Sequence, residues 1–332
     1  MLSVPSAIRS SPWLILLAFG GVQAASVCYD DRDYPAIGSL EPTPSGYRTV
    51  LSGRLRGRSD TAPLFEFSPE TKWRAAGRVA CEHGNCVKET QGCPVSLPEI
   101  PLPAIDVVEA VRGQPVQEVE QKVAACVEQG RYVYFGIGFY WGEGSGGIGG
   151  VGRYDKQTRK MEVRRPEQLQ KTGVTHLAHD GKYLWIGTGN QHECIGMVPT
   201  EGLLRYDWDK DRLDPADPGG QGMCGFMVRG LLVRDRTLVV ATDVGLALGS
   251  GAGLQNPLRW RHLVPDLQAP GFMRETTCDA LYNHLLRAVS REDDGMGWSS
   301  FSQLRDTLET RNPKLLEQYL STGAKPASDR GR

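Results

Sequence analysis

The sequence predicts a mainly β chain, a small or incomplete β-propeller of about four blades, with a short helical segment near its C-terminal end. Three observations carry this. Forty glycines and 21 prolines in 332 residues, where roughly 7% glycine is usual, point to many short strands joined by tight turns. Three segments starting at Val123, Val174 and Val228 align over sixteen positions at spacings of 51 and 54 residues. After residue 272 the apolar spacing turns helical.

Taken in chain order, residues 1–24 read as a signal peptide. Arg9 is the one charge before Pro12, and the apolar run from Trp13 to Phe19 is too short to span a bilayer. Val22, Gln23 and Ala24 then form a small-residue cleavage site before Ala25. The rival, a lipoprotein acylated at Cys28, lacks a small residue next to that cysteine. No later stretch is apolar enough to span a membrane, so the mature chain is expected in a periplasm or secreted.

Residues 25–122 read as a degenerate first blade followed by a Cys/Pro-rich connector. Leu64 to Trp73 has the strand, polar turn and strand shape of Gly152 to Met161, and Pro94 to Pro103 reads as extended. Residues 123–271 hold the three propeller-like repeats. Each has an apolar strand, a polar turn at Gly130, Gly181 or Asp235, and a second strand rich in aromatic and β-branched residues. Four strands per unit at a period near fifty is the pattern of propeller blades, in which no single blade buries both its faces. Residues 272–323 read as a helical cap. Thr276 to Asp279 resembles a capping box, Ser299 to Glu309 reads as a helix, and Asn312, Pro313 and Gly323 bracket another. Residues 324–332 read as a disordered tail.

The run Tyr183-Leu184-Trp185-Ile186-Gly187-Thr188, followed by Gly202-Leu203-Leu204-Arg205-Tyr206-Asp207, resembles the blade repeat of two-component-regulator sensor propellers. The match is good in this unit, partial over 123–163 and weaker elsewhere. The resemblance implies propeller geometry and a face turned to a ligand or partner. It transfers no catalytic residue, because the motif is structural.

Export changes how the eight cysteines read: an even count in an oxidising compartment suggests disulfides, with 105 possible pairings. Cys81, Cys86 and Cys93, with His83, could instead gather zinc, but no second Cys/His pair at finger spacing follows. Cys194 and Cys224 are a candidate pair, since both fall in segments expected on one face.

That face would also carry the long loops 138–150 and 189–201, which follow the second strands of adjacent repeats; the third repeat has only a tight turn near Asp243 to Gly245. The candidate partner- or ligand-binding residues are Phe139, Tyr140, Trp141 and Glu143 on one loop, and Asn190, His192 and Glu193 on the other. Aromatic side chains on adaptable loops supply large contact areas. Glu143, His192 and Glu193 could alternatively hold a divalent metal ion at the mouth of a lactonase-like hydrolase; the plainer alternative is solvated polar loops.

Other chemistries fail on their motifs. The net charge of −1 offers no basic surface for nucleic acid. Gly144, Gly146 and Gly149 mimic a dinucleotide fingerprint but precede a strand rather than a helix. His192-Glu193 lacks the second histidine of a zinc protease, since position 196 is glycine. With no complete catalytic motif and no cofactor signature, the expectation is a disulfide-stabilised binding protein that engages a protein or cell-envelope component.

Overall fold

The computed structural model describes residues 37–44, 46–51, 61–67, 73–80, 91–100, 120–141, 144–145, 149–170, 172–189, 191–192, 202–216, 223–224, 228–242, 245–254, 257–265, 273–289, 308–309 and 313–321. Both ends of the expected signal peptide, the tail after 323, and Cys28, Cys81, Cys86 and Cys194 lie outside them.

The described chain is mainly β and forms four antiparallel sheets in sequence order. The first holds β1 (Ile37–Thr43), β2 (Gly46–Leu51), β3 (Thr61–Phe67) and β4 (Trp73–Ala80). The second is built on β5 (Glu120–Gln129) and β6 (Tyr132–Trp141), with the short β7 (Gly144–Ser145), then β8 (Gly150–Asp155) and β9 (Met161–Arg164). The third holds β10 (Gly173–His179), β11 (Leu184–Gly189), β13 (Leu203–Asp207) and β14 (Arg212–Pro215), while β12 (Gln191–His192) crosses to the second. The fourth runs β15 (Val228–Arg234), β16 (Thr237–Thr242), β17 (Gly245–Ser250), β18 (Arg259–Pro265) and β19 (Met273–Thr276). Among the described residues, the first and third sheets have four strands, the second six and the fourth five. The change to helix comes one strand later than its spacing suggests, because β19 pairs with β18 before α1 (Cys278–Val289) begins. Thr277 rather than Thr276 caps that helix, its Oγ1 accepting the Ala280 N–H at 3.2 Å. The last described helix is α2 (Pro313–Ser321), with proline in its first position.

The three repeats share a bulge that the sequence does not announce. Pairing between first and second strands shifts between Val123 and Ala125, Val174 and His176, and Val228 and Gly230. A bulge bends the strand and deepens its twist. First strands then touch in series, β5 with β10, β10 with β15, and β15 with β1, so the packing order is second, third, fourth, first sheet.

Glycine sets how closely the sheets nest. A Cβ on Gly136 would sit 2.8 Å from Val174 Cβ, and one on Gly187 would sit 2.8 Å from Val228 Cβ. Each glycine thus seats the first-strand valine of the next sheet. The seams fill with Tyr134, Val151, Leu177, Leu184 and Ile186 between the second and third sheets, and with Trp185, Leu203, Leu231, Leu238 and Val240 between the third and fourth.

The other face of the second sheet meets the connector. Cys126, Val133, Phe135 and Ile137 pack against Cys93, Val95, Leu97 and Ile100. Cys93 is disulfide-bonded to Cys126, and Gly92 makes a parallel bridge to Ala125. The described part of the Cys/Pro-rich segment, residues 91–100, covers apolar surface that an isolated sheet would leave in water.

The Arg-Tyr-Asp pattern is structural. Asp155 Oδ1 accepts N–H groups of Gln157 and Thr158 at 3.0 and 3.4 Å, and Asp207 Oδ1 accepts that of Lys210 at 3.3 Å. These bonds close the turn after each third strand. The Arg153 guanidinium lies 4.6 Å from the Tyr132 ring, and that of Arg205 lies 4.6 Å from the equivalent Tyr183. Arg131 and Lys182 approach the same two rings at 4.8 and 4.7 Å.

Candidate functional site

The two long loops meet. β6 runs on to Trp141, beyond the part that pairs with β8, and β7 folds back on it with Tyr140 opposite Ser145 and Trp141 opposite Gly144. β12 then pairs with the other side of β7, Gln191 opposite Ser145 and His192 opposite Gly144. Loops from adjacent sheets thereby become one three-stranded ribbon, held by main-chain hydrogen bonds that need no particular side chain. Phe139, Tyr140 and Trp141 lie on β6 and His192 on β12; Glu143, Asn190 and Glu193 lie outside the described residues. In the fourth sheet only two residues separate Thr242 from its pairing partner Gly245.

A second cluster escaped the sequence reading. Cys224 is bonded to Cys278, which corrects the expected Cys194–Cys224 pair. The start of α1 comes close enough to claim Cys224, a placement that depends on β19 adding to the fourth sheet. Cys224 is 1% exposed. Cys278 is half-buried and faces an open groove of about 520 Å³ lined also by Leu258, Trp260, Arg261, His262 and Glu275. His262, from β18, is buried; its Nε2 accepts the Cys224 N–H at 3.2 Å and lies 3.7 Å from Cys278 Sγ. Arg261 and Glu275 pair across β18 and β19 at 3.0 Å, and the Arg261 hydrogen bond holds the Glu275 carboxyl below the usual carboxylate range. Ligand atoms of Cys224, His262 and Cys278 fall within 4.8 Å of one another, but a metal needs thiolates and these sulfurs are joined.

Among other histidines, His176 and His179 serve packing. His176 is 5% exposed, and burial lowers its pKa to about 4. His179 stacks on Tyr134 with ring centroids 4.9 Å apart.

No family model matches this chain, and neither does any curated protein. Among solved structures it is similar to the extracellular domain of BT4673 from B. thetaiotaomicron, at 12% identity over 74% of this chain and 36% of that one, with a TM-score of 0.33. Apo AztD from Citrobacter koseri gives 12% identity over 72% of this chain and 52% of that one, at a TM-score of 0.28. A candidate 6-phosphogluconolactonase from Bacteroides uniformis gives 12% over 71% and 73%, also at 0.28. The chain thus spans little more than a third of the BT4673 domain, and likenesses this distant carry no functional argument. No helix among the described residues is long and apolar enough to cross a membrane.

Proposed function

We propose that the chain is an exported, disulfide-braced, propeller-like binding protein that engages a protein or cell-envelope component through loops 138–150 and 189–201. The observation that carries this reading is the β7–β12 pairing, which joins the aromatic run of one loop to the other. A ribbon already ordered by main-chain bonds binds with less entropy loss than two separate loops. Paired cysteines are in keeping with an oxidising periplasmic or extracellular setting. The test is a triple Ala variant of Phe139, Tyr140 and Trp141, compared with the parent for retention on envelope material from the source cells. Retention falling about tenfold or more, with the melting temperature within a few degrees, supports the reading; undiminished retention contradicts it.

A second reading keeps the divalent metal ion. The register sets His192 opposite Gly144, the residue after Glu143, and Glu193 follows His192. A cation at a hundred times its dissociation constant would add about 2.7 kcal/mol to stability. A calcium, magnesium, manganese or zinc shift that survives His192→Ala and Glu193→Ala removes this reading.

A further inference from the structure

We propose that the outer edge of β18 binds an extended acidic segment of a partner protein, which adds to the fourth sheet as an antiparallel strand where β19 stops. The site shares no residue with the β7–β12 ribbon and stands independently of it. β17 pairs with β18 from Arg259 to Leu263, whereas β19 pairs only with His262 to Pro265. Thr276 ends β19, and the Thr277 carbonyl oxygen accepts the Leu281 N–H as α1 begins. Continued in register, β19 would place residue 278 opposite Trp260; the chain turns into the helix instead. β9 and β14 end their sheets along their whole length, but β18 is covered over its last four residues and open before them. The result is a notch. The open groove of about 520 Å³ lies along it, lined by Leu258, Trp260, Arg261 and Glu275 among others, and its volume is within the range of ligand sites.

Main-chain direction makes this notch a docking edge. Pro265, opposite Met273, has no N–H to donate, so the hydrogen-bonded pairs fall at His262–Thr276 and Val264–Arg274. Leu263 agrees with this alternation. Its carbonyl oxygen lies 2.8 Å from the place a Cβ on Gly245 would take, so its main chain faces β17. By the same period of two, the Trp260 N–H and C=O point outward with those of His262, past the end of β19. Among the described residues, no hydrogen bond reaches them from that side. The Trp260 ring leans the other way, over Gly249 of β17, which leaves this stretch of backbone uncovered. A guest residue opposite Trp260 can therefore exchange both main-chain bonds with it, the mode in which a peptide adds to a sheet edge. Its neighbours would lie opposite Arg259 and Arg261, both exposed. Arg261 is held by Glu275 at 3.0 Å, while Arg259 has no ion pair among the described residues. Opposite charges directly across a strand pair attract, so the guest residue facing Arg259 is an acid. The residue facing Trp260 is a β-branched apolar one, which suits a strand.

The probe is the peptide acetyl-Thr-Val-Glu-Val-Gly-Gly with fluorescein at its C-terminal end, titrated with the folded, oxidised chain and followed by anisotropy. In the antiparallel register its threonine, first valine and glutamate face Arg261, Trp260 and Arg259. The expected result is saturable binding that weakens at least about tenfold when the first valine is N-methylated, because that removes a main-chain donor and crowds the pairing edge. Arg259→Glu should weaken the same peptide about tenfold and favour a peptide with lysine in place of glutamate. No saturation up to about 1 mM chain would overturn the proposal. So would binding that N-methylation leaves intact, since that is a charge contact without a strand, and so would binding indifferent to Arg259→Glu. The N-methyl comparison uses the unaltered chain, so it decides the matter even if Arg259→Glu fails to fold.

Discussion

The seam between the second and third sheets and the seam between the third and fourth share one geometry and differ in chemistry. Both seat a first-strand valine on a second-strand glycine, Val174 on Gly136 and Val228 on Gly187. At the residue just past the shared bulge, the second sheet has Ala125, the third His176 and the fourth Gly230, opposite Gly136, Gly187 and Ala241. The first seam is therefore apolar at its centre, edged by Tyr134, Tyr206 and Trp208, and bridged above by β7 and β12. The second is polar at its centre: Thr175 Oγ1 lies 2.9 Å from Val228 O and 3.2 Å from Gly187 O, and His176 Nδ1 is buried without a hydrogen-bond partner. Repetition sets the spacing of the sheets, and single positions within it set how each seam responds to its surroundings.

The largest expected effect tests the shared part. Gly187→Val and Gly136→Val should each cost about 3 kcal/mol or more, since neither valine of the next sheet can retreat from a filled core. Gly130→Ala, in a hairpin with nothing within 4 Å of the new Cβ and φ of 60°, should cost about 1 kcal/mol from backbone strain alone. Urea midpoints that rank these variants the other way would break the nesting account.

Next is the acid response of the third-to-fourth seam. Burial holds His176 neutral, with a pKa of about 4 against 6.5 for the free side chain. Between those values the unfolded chain binds a proton that the native chain does not, so stability falls as pH drops from 6.5 towards 4. This single group contributes a loss of about 3 kcal/mol. His176→Gln should shrink the stability difference between pH 7 and pH 4.5 by about 2 kcal/mol; an unchanged difference would mean that His176 is not the group responding. Thr175→Val, which removes the seam's buried hydroxyl, should cost about 1 kcal/mol in chemical denaturation.

The smallest effect concerns the outer hairpins. Arg153→Ala and Arg205→Ala each take a cation from a tyrosine face and should cost about 0.5–1 kcal/mol. Similar losses in both would show that the two clamps are equivalent parts of the repeat.

Much of the strand layout was legible because it is local. Alternating apolar runs, Gly130 and Gly181 at hairpin turns, and the Arg-Tyr-Asp corners act within a few residues of themselves. Pro313 at the start of α2 was legible through its fixed φ. The rest depends on distance in sequence. Cys224, His262 and Cys278 are brought together by a fourth sheet gaining β19, and nothing near Cys224 favours Cys278 over Cys194. The meeting of β7 and β12 is a main-chain contact, so the identities of Ser145 and Gln191 did not signal it. The shared bulge was hidden for the same reason, since Ala124, Thr175 and Arg229 have no side-chain property in common.

The most direct test of the binding account is site-specific photocrosslinking in living source cells, with benzoylphenylalanine at position 140 on the ribbon or at position 157 in the turn closed by Asp155. The account predicts a discrete adduct from position 140 and none from position 157. Adducts of equal strength at both positions, or from position 157 alone, would contradict it.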